Sequence, residues 1–266
     1  GPSMYFVGIA LILLGALLIN RLTGMKYRKS FFIMELPEYK APSLKFALKS
    51  MFERGKAYIV KAGTIILLCN TIVQIMASFT WTFAEAAEDG SDSILAFIAS
   101  PFAAVLIPVV GFACWQCAAA AITGFIAKEN VVGTLATVFA LTNLIDTEEL
   151  EMAEGAGSAI AIAMGLTKVA ALAYLMFNLY TPPCFAALGA MNSEMKSKKW
   201  LWGAIAFQLS VGFVIGFLVY QIGTLVTTGS VGAGFAGGLA GVLVIAGIIA
   251  WLCLRADKKL KAEYSK

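Results

Sequence analysis

Residues 115–134 read WQCAAAAITGFIAKENVVGT, and this stretch decides how the rest of the chain can fold. It lies between strongly apolar segments, yet it carries the ionisable neighbours Lys128 and Glu129. An ionised side chain in the centre of a bilayer costs roughly 2.5–3.5 kcal/mol on insertion scales. Adjacent helical residues point about 100° apart, whereas facing pairs are three or four residues apart. At least one of the two is therefore expected to face a protein interior, a water-filled cavity or a broken helix, and a transport site is the default hypothesis.

The composition extends this prediction to the whole chain. Of its 266 residues, 60% are hydrophobic and only 14% are charged, and the mean hydropathy is +0.83. Soluble domains carry about 25% charged residues, so a polytopic membrane protein is indicated. Residues 1–3 read as the remnant of a cleaved tag, which leaves room for a natural protein that extends upstream of Met4. The first apolar run, residues 5–19, lacks the basic leader of a signal peptide.

The apolar runs predict an all-α bundle of about seven passes that contains broken or re-entrant helices. A first span at 4–20 precedes a basic segment at 21–57, a membrane bundle at 58–254 and a basic tail at 255–266. Within the basic segment, residues 44–56 have the periodicity of an amphipathic helix that lies in the membrane interface. Spans are expected at 58–79, 94–110, 111–140, 159–180, 201–226 and 234–254, with 94–140 forming two passes or a re-entrant hairpin.

The charge distribution predicts the orientation. Apart from Lys128 and Lys168, every Lys and Arg lies in 21–61, in the turn 196–199 or in the tail, while the loops at 85–92 and 146–154 carry acids only. Cytoplasmic segments collect Lys and Arg. The basic segments and the carboxyl terminus are therefore expected inside, and the acidic loops outside.

The central stretch offers several groups to a transport path. Thr123 and Gly124 permit close helix approach, the alanines at 118–121 allow dense packing, and Gly133 could open the helix. Gln116, Cys117, Asn130 and the pair Lys128–Glu129 are its other polar groups. The competing interpretation is a packing helix whose lysine reaches towards the interface.

A second polar interruption is Tyr180-Thr-Pro-Pro-Cys184. Two prolines remove amide donors, which leaves upstream carbonyls without helical partners. These carbonyls, the Thr181 hydroxyl and the Cys184 sulfur are groups that a divalent transition metal accepts, and thiolate suits iron or copper better than calcium or magnesium. A helix-ending turn at the cytoplasmic face is the structural alternative.

The remaining polar groups carry weaker signals. Glu35, before Pro37 at the inner boundary, suits an interfacial anchor or a metal-handling role, and Asn178 and Gln208 suit interhelical hydrogen bonds. The five cysteines predict no disulfide framework, and Cys114-x-x-Cys117 without any histidine makes a zinc site unlikely. A redox motif is also disfavoured, because no βαβ pattern surrounds it. No nucleotide-binding fingerprint occurs, so catalysis within the chain and nucleic-acid binding are not expected.

Several of these segments resemble the FeoB family of ferrous iron transport proteins. The resemblance rests on Phe32-Ile-Met-Glu-Leu-Pro37, Lys61-Ala-Gly-Thr-Ile65, Trp115-Gln116, Gly124-Phe-Ile-Ala-Lys-Glu129 with Val132-Gly-Thr134, and the Pro-Cys pair before Phe185. It covers essentially the whole chain and corresponds to the carboxyl-terminal membrane part with the second of two Gate regions. The cytoplasmic G domain and the first Gate region of such proteins have no counterpart in this sequence.

The resemblance implies a part of a transporter that moves Fe(II) into the bacterial cytoplasm under the control of GTP hydrolysis in the missing G domain. Small cytoplasmic Feo proteins, the lipid bilayer and further copies of the chain are the implied partners. Cys184 fills the position of the Gate cysteine beside a proline, although the proline is doubled here as Pro182-Pro183. Gate regions are also related to nucleoside-recognition domains, so a nucleoside transporter is one alternative and an inert scaffold or oligomerisation module is another.

Residues and resemblance together give one hypothesis for the site: two broken helices meet near the middle of the membrane. Glu129 and Cys184 are the expected transient metal ligands, and Glu35 is the expected acceptor at the inner face. Thr123, Asn130 and Thr181 would supply oxygen atoms. Lys128 would repel the metal or pair with a carboxylate, with Gly124, Gly133, Pro182, Pro183 and Cys117 also lining or gating the path. No resident cofactor is expected.

Overall fold

The chain folds into helices, as expected for the all-α class. A computed structural model describes residues 2–23, 43–87, 90–126, 128, 131, 134–135, 165–195 and 197–264. The helices are α1 (Pro2–Thr23), α2 (Leu44–Ser78), α3 (Ile94–Val110), α4 (Trp115–Gly124), α5 (Lys168–Tyr180), α6 (Phe185–Met195), α7 (Lys198–Thr228) and α8 (Phe235–Tyr264). Extended pairing within these ranges is limited to one isolated bridge between Phe79 and Glu85.

Helices suited to crossing a membrane are present, but fewer than the predicted seven passes are seen in the described ranges. Three segments are long and apolar enough: Met4–Thr23, Lys198–Thr228 and Phe235–Lys258. The pair Ile94–Val110 and Trp115–Gly124 meets the same criterion together, bent by 98°. The 22 residues of α1 extend about 33 Å, which matches a hydrocarbon core of about 30 Å.

The predicted interfacial helix and the span after it form one continuous helix, α2, of 35 residues. No proline occurs between Leu44 and Ser78, and Gly55 and Gly63 each weaken a helix by only about 1 kcal/mol relative to alanine. A change from basic to apolar composition does not by itself break a helix. The separate interfacial helix is therefore not confirmed.

The region predicted as two passes or a re-entrant hairpin is a bent helix pair. α3 tolerates Pro101 and Pro108 in its interior, begins with Ser93 accepting a hydrogen bond from Ala96 N, and ends at Gly111 with φ of 99°. This left-handed conformation favours glycine. α4 follows after three further residues and is 10 residues long, so by itself this helix is shorter than a bilayer core, and most of residues 127–140 lie outside the described ranges.

Lys168, predicted inside a span, is instead the exposed first residue of α5. Thr167 caps this helix by accepting a hydrogen bond from Ala170 N at 3.2 Å. At 13 residues, α5 extends about 20 Å, less than the thickness of a bilayer core. The first residues of the predicted span, 159–164, lie outside the described ranges.

The chain divides into two compact units, residues 1–63 with 243–266, and residues 64–242. Within the first unit, an exposed ion pair of 3.0 Å joins Arg21 near the end of α1 to Asp257 in α8. Within the second unit, α3, α4, α5 and α7 enclose a core of mostly small buried side chains, among them Ala99, Ala103, Ala119, Ala170 and Ala173. Small residues allow the close helix approach that membrane bundles use in place of a strong hydrophobic driving force.

Glycines on α7 set its distance from α5. A Cβ added at Gly212 would lie 2.8 Å from Thr181 Cγ2 and 3.1 Å from Phe177 O, and one at Gly216 would lie 3.1 Å from Phe177 Cβ. The end of α5 is therefore held against α7 by direct backbone packing. This contact positions the site described next.

Candidate functional site at two adjacent helix breaks

The first break, defined here as the turn Phe125–Ile126, ends α4 ahead of the charged pair Lys128–Glu129. α4 runs to Gly124, and a turn follows in which Phe125 N and Ile126 N donate to Ile122 O (3.1 Å) and Thr123 O (2.9 Å). Thr123 is fully buried; its hydroxyl donates to Ala120 O at 3.0 Å and lies 2.8 Å from the hydroxyl of Thr134. Both Thr123 bonds are made within its own segment.

The second break, defined here as Thr181–Cys184, ends α5 at Tyr180. In an α-helix the carbonyl of residue i accepts from the amide of residue i+4. The amides that would serve Asn178 O and Leu179 O belong to Pro182 and Pro183, which have no N–H. The prolines thus deprive these two carbonyls of their helical donors, as the sequence predicted.

Lys128 supplies the missing donors. Its Nζ donates to Asn178 O at 2.6 Å, to Leu179 O at 3.0 Å and to Thr181 O at 3.0 Å. We call these three carbonyl oxygens the carbonyl site. A lysine ammonium has three donors and no acceptor, so the three bonds satisfy it completely. Lys128 was expected to repel a metal or to pair with a carboxylate. Within the described ranges its partners are backbone oxygens, and no carboxylate there forms an ion pair with it.

The two breaks are also joined by their backbones. Phe185 N, at the start of α6, donates to Phe125 O at the end of α4 with a length of 3.1 Å. A Cβ added at Gly124 would lie 2.6 Å from Val131 Cγ2 but an ordinary 3.9 Å from Asn178 Oδ1, so the glycine makes room for Val131 and not for α5. The end of α4 and the break after α5 therefore form one local structure.

Cys184 lies at the junction between the break and α6. Its carbonyl accepts from Leu188 N at 3.0 Å, the first hydrogen bond of α6. The thiol is free and partly exposed. Nearby, the Thr181 hydroxyl donates to Asn178 O at 2.9 Å, and Pro182 is buried while Pro183 is partly exposed. A soft sulfur ligand and three hard carbonyl oxygens thus occur within seven residues of chain.

The other predicted ligands are not all described. Glu35, Glu129, Asn130 and Gly133 lie outside the described ranges, so their assignments remain predictions. Among the residues that the structure does describe, no three His, Cys, Asp or Glu side chains lie together as a metal centre. The arrangement offers oxygen and single-thiol ligation, which suits transient binding better than a closed structural site.

Cys117 has a different environment from the one expected. It is fully buried and forms a disulfide with Cys114, with the two Cα atoms 5.3 Å apart. No disulfide framework was expected, and this single disulfide was not predicted. The C-x-x-C sequence begins α4 with Cys114 as the extended N-cap residue, and the Cα separation of 5.3 Å is one that a disulfide can bridge.

Several polar residues have roles that the sequence did not reveal. The buried Tyr174 hydroxyl donates to Cys117 O at 2.7 Å and joins α5 to α4. Asn178 Nδ2 bonds Tyr174 O within α5 at 2.9 Å, whereas an interhelical bond was expected. Buried Gln208 Oε1, also expected to bond another helix, finds no partner in the described part of the chain.

Gln221 was the other unforeseen contact. Its Nε2 lies 3.4 Å from Pro108 O and from Ala233 O, and its Oε1 accepts from Gly232 N at 2.9 Å. It therefore joins the end of α3 to the loop before α8. The sequence signal for this role is a glutamine that directly follows the apolar run 217–220.

The fold and the paired breaks define a helical membrane protein with interrupted helices that lie side by side, the arrangement in which transporters build their ion and substrate sites. Comparison with known proteins makes this class more specific. Residues 2–54 match the family described as "Ferrous iron transport protein B C terminus", and residues 59–198 match the Gate family, described as "Nucleoside recognition". Both breaks lie inside the second match.

Curated relatives agree with the family matches. The chain is 29% identical over 228 residues to the Fe(2+) transporter FeoB of Staphylococcus aureus strain COL, covering 84% of this chain and 31% of that protein. It is 27% identical over 261 residues to the Fe(2+) transporter FeoB of Salmonella typhimurium, covering 83% of this chain and 33% of that protein. The chain thus spans about a third of the length of these relatives. No solved structure matches it.

The chain therefore belongs to the Gate family, and ahead of its Gate domain it carries a domain that matches the carboxyl terminus of ferrous iron transport protein B. The resemblance inferred from the sequence motifs is confirmed.

Proposed function

We propose that this chain is the membrane portion of a bacterial Fe(II) uptake transporter of the inner membrane, and that Fe(II) passes the paired breaks on its way to the cytoplasm. The single observation that carries the proposal is the contact between the end of α4 and the break after α5, closed by Lys128 and by the Phe125–Phe185 hydrogen bond. Relatives named as Fe(2+) transporters support the choice of ion.

The ligand chemistry at the breaks supports iron over the common hard cations. Cys184 is a free, partly exposed thiol beside carbonyl oxygens and the Thr181 hydroxyl. Thiolate selects iron or copper, whereas calcium and magnesium prefer oxygen alone. Glu129 would add a carboxylate from the other break, with Thr123 and Asn130 as further oxygen donors, and Glu35 would receive the ion at the inner face. Ligation by few groups is an advantage here, because conduction requires that each site also release the ion.

Coupling to GTP belongs to the proposal as a role of the longer protein. The chain itself carries no nucleotide-binding motif and is assigned no enzymatic activity. A cytoplasmic G domain, a first Gate region and small Feo proteins would be its partners, together with lipid and further copies of the chain. On its own in liposomes, the chain is expected to carry little Fe(II), and a rate equal to that of the full-length protein would contradict this dependence.

Uptake of radioactive Fe(II) by cells that produce the full-length protein tests the ligands. Cys184→Ser and Glu129→Gln should each lower uptake by roughly tenfold or more, the size of effect seen when a metal site loses a supporting group. Cys253→Ser and Glu53→Gln are the matched controls, because Cys253 is a free cysteine in α8 and Glu53 an exposed carboxylate in α2. Normal uptake in both test variants, at normal protein levels, would end the ligand proposal.

A nucleoside carrier is the second candidate, and the description of the matching Gate family is the observation in its favour. Calorimetric titration of the detergent-solubilised chain with nucleosides separates the two. The iron proposal predicts no heat of binding for nucleosides. Binding of a nucleoside that Cys184→Ser leaves intact would favour the carrier instead, whereas a chain that binds neither ligand would be a scaffold.

A further inference from the structure

The carbonyl site already holds a cation, and that cation is part of the chain. The Lys128 ammonium is 2.6–3.0 Å from three carbonyl oxygens of the break that ends α5. The carboxyl end of a helix carries partial negative charge and favours cations. In transporters with interrupted helices, such helix ends and unwound carbonyls coordinate the transported cations.

The oxygens of this site depend on an outside donor. Pro182 and Pro183 cannot serve Asn178 O and Leu179 O, and Asn178 O receives, besides Lys128, only the Thr181 hydroxyl among the described residues. Lys128 comes from a segment 50–53 residues away in sequence. Its contact with the site is therefore tertiary, and it can be lost without unfolding α5.

We propose that the Lys128 ammonium is the tethered resting occupant of the carbonyl site and that an arriving divalent cation displaces it. This inference rests on the proposed function and adds the gating step at the same site. Two cations cannot share the same three oxygens, because each would face the other's charge at close range. Displacement by the ion therefore releases Lys128, and binding of Lys128 in turn expels the ion.

The geometry gives the exchange a direction of movement. Oxygens that accept from an ammonium lie at 2.6–3.0 Å, whereas a small divalent ion such as Mg²⁺ requires about 2.0–2.1 Å. The carbonyls must therefore move inward when the ion enters, which is feasible at a break whose peptide groups lack helical hydrogen bonds. Release of Lys128 also frees the turn beside it, which the Phe125–Phe185 hydrogen bond connects to the start of α6.

A fixed helix cap is the structural alternative, and it predicts the opposite response to mutation. Removal of a cap would loosen the break and weaken any metal bound there. Removal of a competitor would instead strengthen metal binding, because the oxygens stay available and the positive charge is gone. Lys128→Met keeps much of the side-chain length and removes the charge, so it separates the two.

The test is titration of the detergent-solubilised chain with Co²⁺, an air-stable probe whose thiolate bonds are visible in the absorption spectrum. Lys128→Met should bind Co²⁺ at least tenfold more tightly than the unmodified chain, equivalent to about 1.4 kcal/mol. Lys168→Met is the matched control, since Lys168 is an exposed lysine at the amino end of α5, the helix whose carboxyl end carries the carbonyl site. Equal or weaker binding by Lys128→Met would overturn the displacement proposal while leaving the proposed function standing. Absence of Co²⁺ binding in every form would contradict both.

A second measurement on the unmodified chain covers the case in which Lys128→Met fails to fold. Acylation of lysines by an amine-reactive reagent, read by mass spectrometry, should increase at Lys128 as Co²⁺ is added and stay constant at the exposed Lys168. If Co²⁺ binds and the acylation of Lys128 does not change, the proposal is also overturned.

Discussion

The site originates in two residues, Pro182 and Pro183, which leave the carbonyls four positions before them without helical donors. Each proline removes one amide, so the carbonyls of Asn178 and Leu179 require donors from elsewhere, and Lys128 provides them. The freed carbonyls could be predicted from the sequence because the i to i+4 relation is local. Their partner could not, because a contact across 50 residues depends on how α4 and α5 pack.

Restoring the amides should therefore release Lys128. In Pro182→Ala with Pro183→Ala, the new N–H groups can bond Asn178 O and Leu179 O and compete with the ammonium. We expect acylation of Lys128 to rise several-fold relative to the unmodified chain without any added metal. Pro101→Ala, in the interior of α3, is the control, and an unchanged rate in the double variant would show that Lys128 is held by something other than these carbonyls.

Tyr174 provides a second test at the residue scale. Its hydroxyl is buried and donates to Cys117 O at 2.7 Å, so Tyr174→Phe leaves a buried carbonyl without this donor. We expect a loss of about 0.5–1.5 kcal/mol in the free energy of unfolding, the net contribution of one hydrogen bond, because Cys117 O lies inside α4 and keeps its helical donor. Tyr5→Phe, at a tyrosine that is 72% exposed, should change little in the same denaturation experiment. Equal stability of the two variants would contradict the role given to the Tyr174 bond.

At the scale of helices, the sequence patterns predicted helical structure correctly, but they predicted only some of the positions at which helices end or bend. The bend between α3 and α4 was foreseen, because the segment 94–140 had to contain two passes or a hairpin. A broken helix was one of three settings expected for the pair Lys128–Glu129, and the end of α4 at Gly124 was not predicted. α2 is continuous where the sequence predicts two segments, because a change from basic to apolar composition does not end a helix, whereas proline or several glycines would.

The packing of α7 on the end of α5 is the element-scale feature that supports the site. Gly212→Ala would place a methyl group 2.8 Å from Thr181 Cγ2 and 3.1 Å from Phe177 O, and we expect a loss of about 1–3 kcal/mol in stability from overpacking. Gly203→Ala, in the same helix with no atom within 4 Å of the added carbon, should instead be neutral or stabilising by about 0.5–1 kcal/mol. Thermal unfolding of both variants in detergent measures the difference, and a stabilising Gly212→Ala would refute the close contact.

At the scale of the whole molecule, the family and the helical class could be predicted from sequence, whereas the number of passes could not be confirmed. Composition excludes a soluble domain regardless of detail, which made the class easy to predict. The pass count depends on whether short helices such as α5 and the bent pair α3–α4 cross or return. Hydropathy alone does not distinguish these outcomes, because both bury the same apolar residues.

Orientation remains a prediction of the charge pattern, with the carboxyl terminus inside and the acidic loop at 146–154 outside. Introduced cysteines test it: Ala153→Cys should react with a membrane-impermeant maleimide in intact cells, and Ser265→Cys should react only after the cells are opened. The unmodified chain gives the background from its own cysteines. Labelling of Ser265→Cys in intact cells would reverse the orientation and, with it, the inward direction assigned to the path.

The most direct test of the account is X-ray absorption at the iron edge of the chain loaded with Fe(II) in detergent. We predict a coordination shell dominated by oxygen with one sulfur at about 2.3 Å, the length of a metal–thiolate bond, and loss of that sulfur in Cys184→Ser but not in Cys253→Ser. A shell without sulfur, or a spectrum that Cys184→Ser leaves unchanged, would contradict the claim that Fe(II) is held at the break after α5.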